Sequence, residues 1–96
     1  MVIKSQNGTA LYNWDDIGVI HLTSTGKGIQ VIRRNGQGAS LASYRLDSWA
    51  ISALDMLYIA IRDGEDAFEF PSDNEMQVKV EHRSQVRSKQ GRHGGS

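Results

Sequence analysis

One stretch, Leu46 to Gly64 (LDSWAISALDMLYIAIRDG), constrains the rest of the chain most, because no other segment is long and periodic enough to predict a helix. Ala50, Leu54, Leu57 and Ile61 recur at spacings of four, three and four, which places them on one face of a helix. Ala53, Tyr58 and Ala60 widen this stripe, while Asp55, Arg62 and Asp63 lie largely off it. Asp47 or Ser48 is expected to cap the start, its side-chain oxygen accepting from a free N–H of the first turn. Gly64 is expected to supply the left-handed residue that ends the helix. Trp49, Ile51, Met56 and Ile59 fall outside the main stripe. Either they cover a second packed surface or sheet edge, or they leave an exposed apolar patch that binds another chain.

Around this helix the chain reads as short strands separated by tight turns. Met1–Gln6 is followed by Asn7-Gly8, a strong signal for a two-residue hairpin turn. Thr9–Trp14 is expected to return antiparallel, and Asp15-Asp16 to turn the chain again. Ile17–Thr25, Ile29–Arg34 and Ala39–Tyr44 are β-branched or alternating runs, broken by Gly26-Lys27-Gly28 and by Asn35-Gly36-Gln37-Gly38. After the helix, Ala67–Phe70 is a short strand ended by Pro71. Met76, Val78 and Val80 alternate with polar residues, which predicts a last strand. The expectation is an α+β domain: an antiparallel sheet of about five to six strands, with the amphipathic helix packed on one face.

The 96 residues suffice for one domain, and the apolar fraction of 39% supports a modest core. Residues 1–81 are read as that domain and residues 82–96 as a tail. The tail, HRSQVRSKQGRHGGS, holds one Val and no aromatic residue, so it is expected to be disordered in isolation. Formal charge is zero overall but divided. Residues 1–71 carry six Lys/Arg against eight Asp/Glu, whereas residues 79–96 carry five against one. The chain has no cysteine, which excludes disulfides, thiol catalysis and zinc sites built on Cys. With no apolar run near the ~18 residues of a membrane span, and no apolar stretch of signal-peptide length at the N-terminus, a cytoplasmic location is the expectation.

The order Ile3-Lys4-Ser5-Gln6-Asn7-Gly8, then Leu11-Tyr12-Asn13, then Leu41-Ala42-Ser43-Tyr44 before the helix and Phe68-Glu69-Phe70-Pro71 after it has a parallel. It resembles a group of small proteins of Gram-positive bacteria and their phages. Those carry I-x-S-Q-x-G-x-x-L-x-N, then L-G-x-Y leading into an Ala- and Leu-rich helix, then F-x-M-P. The likeness covers residues 2–71, with Ala42 in place of the Gly and Phe70 in place of the Met. It implies a one-helix α+β domain and a phage or mobile-element setting, and it carries no catalytic residue.

The residues themselves offer little chemistry. His21 lies in a strand run, and His82 and His93 lie in the tail, where catalytic geometry cannot be preorganised. Asp15-Asp16 and Glu65-Asp66 read as turn formers. Neither glycine-rich turn has the length or the Lys-Ser/Thr of a phosphate loop. No catalytic residue, metal ligand or cofactor is assigned, and the chain is read as a non-enzymatic module. The first expectation is protein binding, either in a homodimer or on a host protein that a small phage protein inhibits. Its residues are Asp63, Glu65, Asp66, Glu69, Asp73 and Glu75, an acidic run without a base, together with Trp49 and Met56. The alternative is weak nucleic-acid binding by Arg33, Arg34, Arg83, Arg87, Lys89 and Arg92. Tyr12, Trp14, Tyr44 and Trp49 would supply stacking surfaces.

Overall fold

The computed structural model describes residues 1–79. The fold is α+β. Strands β1 (Val2–Lys4) and β2 (Leu11–Asn13) lead through a 3-10 turn, Trp14–Asp16, into β3 (Ile17–Leu22), β4 (Gly28–Arg33) and β5 (Gly38–Ser43). Helix α1 (Asp47–Arg62) and strand β6 (Ala67–Glu69) follow. The expected single antiparallel sheet is instead two three-stranded sheets, ordered β2-β1-β6 and β3-β4-β5. The second sheet is antiparallel throughout. In the first, β1 pairs antiparallel with β2 but parallel with β6, pairing Ile3 with Phe68. Parallel pairing needs a long crossover, and here the second sheet and α1 together form it.

A β-bulge explains how the sheets join. Between Ile29 and Gln30 the pairing with β5 slips from Ala42 to Ser40, leaving Leu41 as the extra residue. Leu41 and Ala42 are therefore both buried, against strict alternation. The Leu41 carbonyl accepts the Gln6 backbone N–H at 2.8 Å. Gln6 Oε1 accepts from Ser43 N at 2.9 Å, and Gln6 Nε2 donates to the Pro71 carbonyl at 3.1 Å. Tyr44 Oη donates to the same carbonyl at 2.7 Å. The loop that presents Gln6 is held by Ser5, whose buried Oγ donates to Asn7 Oδ1 and accepts from Ala10 N. Asn7 does not take the left-handed conformation that a two-residue hairpin turn requires; only Gly8 has positive φ. Its side chain instead accepts from Thr9 N and Oγ1, which closes a longer loop.

One core serves both sheets and the helix. Ile3 and Phe70 from the first sheet side meet Ile29, Val31 and Leu41 from the second. Helix α1 buries Trp49, Ala50, Ala53 and Leu57. The inward face is thus rotated from the expected stripe: Leu54 is half-buried and Ile61 exposed. Residue Leu46, not Asp47 or Ser48, occupies the N-cap and makes no side-chain cap bond. The C-terminus ends as expected. Gly64 has φ of 74°, with Gly64 N donating to Ile61 O and Glu65 N to Ala60 O, a Schellman closure.

The expected last strand is a correction. Residues 73–79 are helical. Ser72 and Glu75 form a capping box: Glu75 N donates to Ser72 Oγ at 3.1 Å and Ser72 N to Glu75 Oε1 at 3.3 Å. On a helix Met76 and Val78 point apart, so Met76 is buried while Val78 is exposed. Val80, Glu81 and the tail of residues 82–96 lie outside the described residues.

Gln6→Ala should cost about 2 kcal/mol and Tyr44→Phe about 1 kcal/mol in urea unfolding. Burial pushes the Tyr44 phenol up, with Asp73 and Glu75 adding to the effect. An unfolded tyrosine titrates at about 10. The folded phenol keeps its proton where the unfolded one loses it, so this contribution is complete below about pH 10 and declines above it. The wild-type urea midpoint should therefore fall more steeply from pH 9 to 11 than that of Tyr44→Phe; parallel curves would refute the assignment. Separately, Ser72→Ala should lower stability by about 1 kcal/mol, and an unchanged midpoint would mean the capping box does not hold the helix.

Candidate functional site

The sequence places an apolar groove where α1 overhangs the edge of the second sheet. Helix α1 packs over β4 and β3. Its buried face is centred on Ala53, so the flank carrying Leu54, Tyr58 and Ile61 looks out past β3. The opposite wall comes from Trp14, Ile17, Val19 and Ile20, with Leu57 at the base. The groove has a volume of about 310 Å³. Gly18, at a shift in the β3–β4 register, adds no side chain to fill it. A methyl group there would come within 3.2 Å of the Ile32 carbonyl. No Asp, Glu, Lys or Arg lines the groove.

Its outer parts are in water. Tyr58 is 60% exposed, Val19 46%, Trp14 39% and Ile61 37%; Ile51, which does not line the groove but lies one turn before Leu54 on α1, is 54% exposed. Strand β3 also pairs on one side only among the described residues. Its His21 Nδ1 donates to the Leu22 carbonyl at 2.7 Å, a local bond that gives the ring no second protein group to act on.

The residues expected to bind a partner do not converge. Trp49 is buried in the core, with the Arg45 guanidinium 5.1 Å from its ring centre. Met56 is half-buried against the same core. Ile51 alone of the four flanking apolar residues is strongly exposed. The acidic run divides into separate local tasks. Asp63 pairs with Arg62 at 3.4 Å, and Glu69 with Lys4 at 3.9 Å. Asp73 Oδ1 accepts from Arg45 N, and Glu75 completes the capping box. Glu65 and Asp66 are exposed beyond the end of α1.

For nucleic acid, Arg33 pairs with Asp16 at 3.7 Å, and Arg34 follows β4 with its backbone N–H on the Asp16 carbonyl. Tyr44 and Trp49 are buried and Tyr12 is half-buried, so three of the four expected stacking rings face the protein. Arg83, Arg87, Lys89 and Arg92 lie outside the described residues. Among the described residues no three His, Cys, Asp or Glu side chains group to hold a metal ion. No described helix is long and apolar enough to cross a membrane.

Sequence reasoning missed the groove because it set Leu54 and Ile61 in the core. The available signal was a second periodicity. Ile51, Leu54, Tyr58 and Ile61 recur at three, four and three, beside the small residues Ala50 and Ala53 that let the helix sit close to the sheet. Comparison of the chain with family models, with curated proteins and with solved structures finds no match.

The burial pattern separates structural from surface residues in a measurable way. Trp49→Ala should cost about 3 kcal/mol or more. The double change Glu65→Lys with Asp66→Lys should stay within about 0.5 kcal/mol of wild type in urea unfolding. A small loss at Trp49 would contradict its placement in the core.

Proposed function

We propose that this chain is a non-enzymatic protein-binding module whose contact surface is the groove between α1 and β3. The observation that carries the reading is the coincidence of two unmet demands at one place. An uncharged apolar groove opens beside a strand edge that has no partner strand among the described residues. Apolar surface leaves water favourably, and an edge strand is a ready template for another chain. Small ligands are recognised by converging polar groups within an apolar pocket; here the walls are aliphatic and aromatic and the groove is open. The acidic residues from Asp63 to Glu75 then serve as rim and helix caps, not as the contact itself. The nucleic-acid alternative rests on Arg83, Arg87, Lys89 and Arg92 once the buried rings are set aside.

Capture on the immobilised full-length chain tests this reading, using nuclease-treated lysate of cells that also express the untagged chain. Wild type should retain a protein. The double variant Val19→Lys with Tyr58→Lys should lose it, while Asp63→Lys, Glu65→Lys and Asp66→Lys combined should keep it. Loss with the acidic variant alone would move the contact to the rim. Material that disappears on nuclease treatment would put nucleic acid first.

A further inference from the structure

Building on the reading of the groove as a protein contact, we propose that its occupant is a second copy of this chain, joined through antiparallel pairing of β3 with β3 about a two-fold axis. Such pairing joins the two three-stranded sheets into one and makes the contact the same on both copies.

β1 is central in its sheet, and the edge strands β2 and β6 have three residues each. The β5 edge is occupied by Gln6, which bonds Leu41 O and Ser43 N. The β3 edge is six residues long and contains no Lys, Arg, Asp, Glu or Pro, the residues that ordinarily blunt an edge. It is the one long edge among the described residues left without cover.

The helix position then selects the partner. Helix α1 sits over both β3 and β4. A helix seated between them lies about one strand spacing, about 4.8 Å, from an axis midway between two paired β3 strands. Its symmetry mate is then about 10 Å away, which is the separation of packed helices. The flanks that meet are the ones carrying Ile51, Leu54, Tyr58 and Ile61, spaced as a helix–helix seam. Antiparallel crossing sets Ile51 of each copy toward Ile61 of the other, and Leu54 toward Tyr58. A lone peptide strand on β3 leaves this flank in water; a second copy covers edge and flank with one operation.

Charge and area agree. The chain has zero formal net charge, so two copies do not repel as wholes. Asp47 in the first turn of one helix runs toward Arg62 in the last turn of the other, matching both side-chain and helix-end polarity. The exposed parts of Trp14, Val19, Ile51, Tyr58 and Ile61 sum to roughly 450 Å², within the ~300–600 Å² of the largest apolar patch on a monomer. A stable interface buries about 800 Å² per copy, somewhat over half of it apolar. Complete burial of the patch would provide about the apolar share of such an interface, with the β3 edge adding polar contacts.

Sedimentation of the full chain at pH 7, from about 1 to 200 μM, should show a species of twice 10.7 kDa. Ile51→Glu and Ile61→Lys change exposed positions, so each should fold and keep the wild-type urea midpoint at a dilution where wild type is itself monomeric. Each should weaken self-association by more than about tenfold. Mixing the two should restore a mixed dimer, because one facing pair becomes Glu–Lys and the other stays Ile–Ile. Wild type that is monomeric throughout overturns the proposal. So does a dimer unaffected by both variants, or a mixture that fails to associate. A monomeric wild type that still captures another protein through Val19 and Tyr58 refutes the second copy alone and leaves the groove reading standing. Capture indifferent to those two residues refutes the groove itself.

Discussion

Gln6 is the joint on which the described fold depends. Its backbone N–H and side-chain amide bind three groups in two separate parts of the chain: the bulged carbonyl of Leu41 and the N–H of Ser43 on β5, and the carbonyl of Pro71 beyond β6. Two small sheets of three strands each expose many edge groups, and the sheet of three-residue strands depends on packing against the rest of the core. The joint ties them at the point where Tyr44 leads into α1 and shares the Pro71 carbonyl. Ile3, Leu41 and Phe70 can then enter one core. The bulge in β5 belongs to the same device, since regular pairing would direct the Leu41 carbonyl into its own ladder.

Ser5, Gln6, Asn7, Gly8, Tyr44 and Pro71 come from three distant stretches and lie in one hydrogen-bonded cluster. Their arrangement is accounted for by folding, with no need of chemistry. The exposed apolar groove lies elsewhere, on the side of α1 that the sheet does not reach. A sixteen-residue helix with small Ala50 and Ala53 inward packs close to β3 and β4, and so leaves its larger residues at the margin.

Local features were the most readable in the sequence. The span of α1, its glycine ending and most strands follow from periodicity and from turn residues that act within a few positions. What sequence alone left hidden depends on distant partners. The division into two sheets turns on Gln6 meeting Leu41, and the parallel pairing of β1 with β6 turns on Ile3 meeting Phe68. The helix face was misjudged because Leu54 and Ile61 are as apolar as core residues, while burial was decided by the smaller Ala50 and Ala53. The strand expected around Met76 was a different error: Ser72-x-x-Glu75 is a local helix-start signal that outweighs an alternation of three apolar residues.

The parallel pairing of the first strand with the last also sets an order of events during synthesis. β1 leaves the ribosome first, yet one of its two neighbours is β6. The Gln6 amide must wait for a carbonyl 65 positions later. The β3-β4-β5 hairpins and α1 hold mostly local contacts and are free to form early, whereas Ile3 has no complete environment until Phe70 has emerged. A nascent chain interrupted before Pro71 therefore carries an open sheet edge and an unfilled core, the state most exposed to chaperones and proteases.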